Sequence, residues 1–178
     1  MMFSHENKNL VELCLRNNRI AQKKLFDKYY AAMYTSALRI TGDEQQAYDA
    51  VQETFICVFN NLHQFKFRST LGAWIKKILL REALRIHKKN LKTYTQIDEQ
   101  YDELTEWPES INSEYLQRII LELPDGYRAI FTLIEIEGYT HKEVARKLNI
   151  SEGTSKSQLY HAKKELRKRL AEFKHYGS

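Results

Sequence analysis

Near the C-terminus, the stretch YTHKEVARKLNISEGTSKSQLYHAKKEL (residues 139–166) leaves the chain little choice of local structure. Thr140 and Glu143 have the Thr-x-x-Glu spacing of a capping box, in which each end group of a starting helix satisfies the other. Val144, Ala145 and Leu148 then fall on one face, and Ala145 is small, as a close helix crossing requires. The tetrapeptide LNIS turns the chain, with Ile150 directed to the core and Ser151 as the cap of a second helix. Leu159, Ala162, Leu166 and Leu170 recur along that second helix at helical spacing. A helix, a short turn and a helix make a helix-turn-helix, whose second member enters the DNA major groove by its N-terminal residues.

That reading accounts for an uneven distribution of side chains. The front of the second helix carries Ser151, Gly153, Thr154, Ser155 and Ser157, small enough for close approach to base edges. Its N-terminus offers free N–H groups and partial positive charge to a phosphate. Lys156 and Gln158 are long enough to reach phosphate or base, and Gln158 carries an amide suited to a base edge. The rear carries Lys163, Lys164, Arg167, Lys168 and Arg169, which hold a phosphate backbone by charge without reading sequence. For the basic tail by itself, an amphipathic helix with a solvated end stays an open alternative.

The rest of the chain is also helical in pattern. Only 6 Gly and 2 Pro occur in 178 residues, and 43% of residues are apolar, which favours long packed helices. A short helix is expected over residues 10–20. A second carries Leu25, Phe26, Tyr29, Met33, Ala37 and Leu38 as a wide stripe. Asp43 caps a third, with Ala47, Ala50, Val51, Thr54, Phe55, Val58 and Leu62 inward. Residues 63–69, HQFKFRS, read as a loop. Ser69 or Thr70 starts a fourth helix with Leu71, Trp74, Ile75, Leu79 and Ala83 inward and Lys76, Lys77, Arg81, Arg85, Lys88 and Lys89 outward. Ser113 reads as the cap of a helix ended by Pro124, and DGYRAIFTLIEIEG as one helix stopped by Gly138.

Net charge is +5, and it is segregated: +8 over residues 1–93, −6 over 94–113 and +3 over 114–178. Two basic blocks therefore flank the acidic stretch YTQIDEQYDELTEWPES, which contains no Lys or Arg and reads as a linker. Such a distribution points to a polyanion partner, nucleic acid first. Cys14 and Cys57 stand far apart, without a Cys-x-x-Cys, and read as small core residues. No metal site is expected, because none of the 6 histidines pairs at ligand spacing with a third partner. No phosphate loop or nucleophile–base pair occurs, so neither an enzyme nor a cofactor is expected. A signal peptide and a 20-residue apolar run are also missing from the pattern, which predicts a cytoplasmic protein without membrane contact of its own.

The segment LPDGYRAIFTLIEIEGYTHKEVARKLNISEGTSKSQLYHAKKEL resembles domain 4 of bacterial sigma factors, above all the extracytoplasmic-function (ECF, group IV) members of the sigma-70 family. The resemblance runs through Leu123–Pro124, Arg128, Phe131, Glu137–Gly138, Glu143–Val144–Ala145 and Ile150 to Ser157. AYDAVQETFICVFNNLHQF is similar to the family's domain 2 helix through Asp49, Gln52, Glu53 and Phe55. RSTLGAWIKKIL is similar to its promoter-melting segment around Trp74. The resemblance covers most of the chain. It implies an all-α protein of two small domains, domain 2 over residues 1–92 and domain 4 over 113–178, joined by the acidic linker at 93–112.

The resemblance implies that core RNA polymerase (β′ clamp and β subunit) and promoter DNA are partners, with an anti-sigma factor as a regulator. It further implies that Asp49, Gln52, Glu53 and Phe55 bind core polymerase. Phe65, Phe67, Arg68, Ser69, Thr70, Trp74, Lys76, Lys77 and Arg81 would meet the −10 element. Ser151, Gly153, Thr154, Ser155, Lys156, Ser157, Gln158, His161, Lys163 and Lys164 would meet the −35 element. Members commonly have Val at 155 and Arg at 158, where this chain has Ser and Gln. Many have Asn at 81 and Asp at 85, so Arg81 and Arg85 are two extra positive charges near an opened strand. Three alternatives remain at this level: Trp74 as core, Asp49 and Glu53 as solvated surface, and the linker as a plain spacer. A helix-turn-helix repressor leaves the Asp49–Glu53 face and the Trp74 segment without a role. An all-helical protein adaptor leaves the charge segregation without one.

Overall fold

The computed structural model describes residues 5–90 and 113–176, with side chains over 7–88 and 113–172. The expected linker at 93–112 lies outside the described residues. Among the described residues the protein is helical throughout, and none of its helices is long and apolar enough to cross a membrane. The chain divides into two compact units, Met1–His87 and Lys88–Ser178.

The first unit contains α1 (His5–Leu15), α2 (Arg19–Thr41), α3 (Glu44–Asn61), a 3-10 turn (Leu62–Gln64) and α4 (Leu71–Asn90). The break between α1 and α2 falls inside the helix expected over residues 10–20. Asn17 is left-handed, at φ 57°, and Asn18 accepts a hydrogen bond from the Ala21 N–H at 3.0 Å. Asparagine tolerates the left-handed region and caps well, so two in succession end one helix and begin the next. Gly42, at φ 71°, closes α2 through its N–H to the Leu38 carbonyl. Asp43 then caps α3 by accepting from the Gln46 N–H at 2.8 Å.

The interior of this unit joins Leu10, Val11 and Cys14 to Leu25, Met33 and Ala37, then to Ala47, Val51 and Val58, and to Leu71, Ile75 and Leu79. Cys57 is only half-buried, because it sits at the edge of the inner stripe of α3. A methyl group at Gly72 would lie 3.0 Å from the Tyr29 ring, so α4 starts tight against α2.

The second unit contains α5 (Ser113–Leu121), α6 (Asp125–Phe131), a π-helical turn (Thr132–Ile136), α7 (His141–Leu148) and α8 (Glu152–Tyr176). α8 packs on α5, α6 and α7 through Leu159, Ala162, Leu166 and Leu170, all buried. Ser113 is the first residue of α5, and Pro124 precedes α6 instead of ending the helix before it. The single helix expected up to Gly138 is interrupted by the π turn, where the Glu137 N–H reaches the Thr132 carbonyl at 3.0 Å. The wider turn buries Thr132 and Leu133 together and sets the following side chains in a new register.

Gly138 has φ +74°, and an added Cβ there would meet nothing within 4 Å. Gly138→Ala is therefore expected to cost about 1–2 kcal/mol through left-handed backbone strain alone. Urea unfolding followed by circular dichroism checks that value.

Candidate nucleic-acid interface

The helix-turn-helix is assembled by its caps. The Thr140 hydroxyl accepts from the Glu143 N–H at 3.3 Å, while the Glu143 carboxylate accepts the Thr140 N–H at 2.9 Å and its hydroxyl at 2.8 Å. The Thr140 N–H foremost, and then its hydroxyl, hold the Glu143 carboxyl below its ordinary range. Val144, Ala145 and Leu148 are buried, and Asn149 turns the chain in the left-handed region at φ 59°. The Ile150 N–H returns to the Ala145 carbonyl at 3.0 Å, and Ile150 itself is half-buried at the rim instead of plugging the core. Ser151 caps α8 by accepting from the Thr154 N–H at 2.9 Å.

Part of the expected reading surface of α8 turns out to be interior. Ser155 is 0% exposed, and its hydroxyl lies 2.9 Å from Nδ1 of His141, the first residue of α7. It sits at the α7–α8 crossing, so it joins the two helices of the motif and does not face a groove. Burial, and then Lys156, lower the pKa of His141, against Glu152 and Glu135. The imidazole is thus neutral at physiological pH, which suits a position beside the positive end of a helix.

Thr154 is buried as well, and Ser157 and Gln158 are 1% and 3% exposed. As Gln158 sits, its amide is not presented to a base edge. The residues that do stand out at the front are Ser151, Glu152, Gly153 and Lys156, followed by the half-buried Tyr160 and His161. The His161 ring lies nearly parallel to Tyr127 at 5.8 Å and nearly perpendicular to Tyr160 at 5.3 Å.

The basic rear is partly neutralised from within. Lys163 pairs with Glu135 of the π turn at 2.7 Å. Arg169 pairs with Glu165 at 2.8 Å and with Glu122 at the end of α5. Lys156, Lys164 and Lys168 are exposed and make no ion pair among the described residues. The Glu135 partnership was not legible in the sequence, because the π turn moves Glu135 off the register that an unbroken helix would give it.

In the first unit, Phe65 is buried and anchors the loop, with its ring 4.7 Å from Phe67 and 5.4 Å from Trp74. Phe67 adopts φ 53°, a left-handed conformation uncommon for a bulky residue. Thr70 is the cap of α4, accepting from the Ala73 N–H at 3.2 Å, with exposed Arg68 and half-buried Ser69 before it. Trp74 is half-buried, neither free nor core. At 3.6 residues per turn, Lys77, Arg81, Arg85 and Lys88 share one exposed stripe of α4, and the half-buried Trp74 lies at its start. Lys76 lies about 100° round the helix from Lys77 and is half-buried, so it leaves that stripe.

Arg81 and Arg85 are not two free charges. Both donate to Glu82, a buried carboxylate that the sequence reading passed over. Its position on the inner face of a basic helix, between two arginines, was the signal available.

On α3, Asp49 and Glu53 are exposed and Gln52 is half-exposed, beside the exposed apolar side chains of Tyr48 and Ile56. Phe55 does not belong to that surface. It is buried, 4.7 Å from Phe26 of α2, because its position falls on the inner stripe of α3.

Comparison with known proteins agrees with this arrangement. The model of "Sigma-70 region 2" matches residues 25–93, and that of "Sigma-70, region 4" matches residues 113–166. The ECF RNA polymerase sigma factor SigW of Bacillus subtilis is 26% identical, covering 92% of this chain and 96% of its own. SigM of Mycobacterium tuberculosis, also an ECF RNA polymerase sigma factor, is 22% identical, covering 93% of this chain and 86% of its own. Among solved structures, the sigma factor RpoE of Bartonella quintana, in complex with the anti-sigma factor NepR, is 21% identical with a TM-score of 0.49, covering 82% of this chain and 94% of that one. The two family models lie in order along the chain and together match most of it, and the chain belongs to the sigma-70 family as an ECF sigma factor.

Proposed function

We propose that the two units divide promoter recognition between them, on a chain that binds core RNA polymerase and directs promoter-specific initiation. The N-terminal unit meets and opens the −10 element through the loop at Phe65–Thr70 and the α4 stripe. It docks on the β′ clamp through Asp49, Gln52 and Glu53, with Tyr48 and Ile56 beside them. The C-terminal unit reads the −35 element through the front of α8. The acidic stretch at 93–112 joins them and acts as a polyanion mimic on the polymerase. The work is binding and positioning without chemistry of the chain's own, in the compartment where the polymerase acts, the cytoplasm. An anti-sigma factor is the regulatory partner of this reading.

The observation that carries the proposal is a second exposed cationic stripe, on α4, in the unit that lacks the helix-turn-helix. A repressor needs only the helix-turn-helix. The deciding experiment adds the protein to core polymerase and measures transcription from DNA selected by the reconstituted enzyme. Specific transcripts are expected, and none at all would overturn the reading.

Three substitutions test the −35 surface in detail. An added Cβ at Gly153 meets only the Ser151 hydroxyl, at 3.5 Å, which is ordinary contact. Gly153→Ala should leave the melting temperature unchanged or slightly raised, since alanine favours helix by up to about 1 kcal/mol. Its affinity for −35 DNA should fall, because the methyl group holds the helix off the base edges.

The second comparison uses the ion pairs. Lys164→Ala should reduce the salt slope of binding by about 0.9, the loss of one phosphate contact. Lys163→Ala, which removes a lysine already paired with Glu135, should change it by clearly less. Equal slopes for the two variants would show that the Glu135 pair opens on DNA.

A further inference from the structure

Glu82 is a carboxylate embedded in a stripe of cations. Its side chain is 10% exposed. One oxygen accepts the Nε–H of Arg81 at 3.0 Å, and the other accepts the Nε–H of Arg85 at 2.9 Å. A guanidinium has five N–H donors, so engagement through Nε leaves the outer Nη edge of each arginine available. Those side chains remain 65% and 48% exposed for Arg81 and Arg85. Four residues apart on one helix, they stand about 6 Å apart along its axis. Burial pushes the Glu82 carboxyl up, but the hydrogen bonds and charges of Arg85 and Arg81 outweigh it and hold the group below its ordinary range. The carboxylate is therefore ionised at physiological pH.

A surface that attracted DNA by charge alone would be better without this residue. We propose that Glu82 is a positioning residue that holds Arg81 and Arg85 as a two-guanidinium clamp for neighbouring phosphates of a promoter DNA strand. The inference rests on the reading of α4 as the DNA-facing helix. Arginine suits the role because its planar fork bonds a phosphate through two parallel N–H groups while a third is held elsewhere, which an ammonium group cannot do. The alternative ligand is an acidic surface of the polymerase, since Glu53 and Cys57 of α3 lie on the Arg85 side.

The test uses the full chain with core polymerase and promoter DNA, measuring DNA affinity against salt, core affinity and melting temperature. Arg81→Ala with Arg85→Ala should lower the salt slope by about 1.4–1.8, the loss of two phosphate contacts on single- or double-stranded DNA. Glu82→Gln adds one net positive charge, so simple attraction predicts tighter binding, whereas the clamp predicts binding several-fold weaker. The same substitution in the double-alanine background should have no effect on DNA affinity. Arg81→Lys with Arg85→Lys leaves Glu82 and the net charge in place and should also weaken binding, which keeps the test decisive if Glu82→Gln unfolds the unit. Tighter binding by Glu82→Gln, or an unchanged slope in the double-alanine variant, overturns the clamp. A loss of core affinity in that variant with the slope intact assigns the arginines to polymerase docking and also overturns it. If the unaltered chain binds no promoter with core polymerase, the sigma-factor reading fails, and the clamp with it.

Discussion

Arg128→Met is expected to destabilise the C-terminal unit by about 3 kcal/mol or more, because it strips two helix-end carbonyls of a charged donor, at roughly 1.5–3 kcal/mol per hydrogen bond. Arg128 is buried at the start of the second unit's core. Its Nη1 donates to the Leu123 carbonyl at 2.7 Å and more weakly to that of Leu121 at 3.4 Å. Its Nη2 donates to the Asp125 carboxylate. The last carbonyls of a helix have no partner within it, so this one guanidinium closes the end of α5 and ties it to the start of α6. α8 packs on both helices, and the helix-turn-helix depends on that support. For a unit of this size, 3 kcal/mol corresponds to roughly 12 °C or more in melting temperature. Arg128→Lys should recover little of it, since an ammonium cannot reach two carbonyls and a carboxylate in one plane. Calorimetry of the full chain should show the C-terminal transition moving and the N-terminal one holding. A shift below about 1 kcal/mol would mean that water replaces the guanidinium.

Asp49→Lys with Glu53→Lys is expected to abolish detectable binding to core polymerase, while helicity and melting temperature hold. Like charges brought together at a docking surface cost several kcal/mol, enough for a loss of 100-fold or more, taking about 1.4 kcal/mol per factor of ten. The fold should tolerate the change because both carboxylates are on the outer face of α3. Asp49 meets only the Gln45 amide at 3.0 Å, in an exposed hydrogen bond. Surface plasmon resonance against core polymerase measures the affinity and circular dichroism the fold. Affinity unchanged within a factor of two would return both residues to solvated surface. Phe55→Ala, by contrast, should lower stability by about 3–5 kcal/mol as a core truncation, so a loss of polymerase binding in that variant would report unfolding and not contact.

Much of the architecture could be read directly from residue order. The Thr140–Glu143 capping box, Asp43 as a cap and the inner stripe of α3 follow from rules acting over three or four residues, because a helix is built from contacts of that range. The two asparagines at 17 and 18 carried the same kind of local signal, and the expected helix over residues 10–20 gave them too little weight. The family motifs were legible for the same reason, being local patterns of spacing.

What tertiary structure alone decided was which side of each helix meets solvent and which charge meets which. On periodicity, Ser155 resembles the other small residues at the front of α8, but the crossing angle of α7 and α8 puts its hydroxyl against His141. Lys163 and Lys164 are neighbours in a basic run, and only the π turn, which brings Glu135 to Lys163, separates them. Arg81 and Arg85 look like two added charges until Glu82 is seen to be buried between them, leaving the group with a net charge of one. Each of these outcomes depends on contacts with other helices or on a local change in helical pitch. The spacing of residues along a regular helix contains neither.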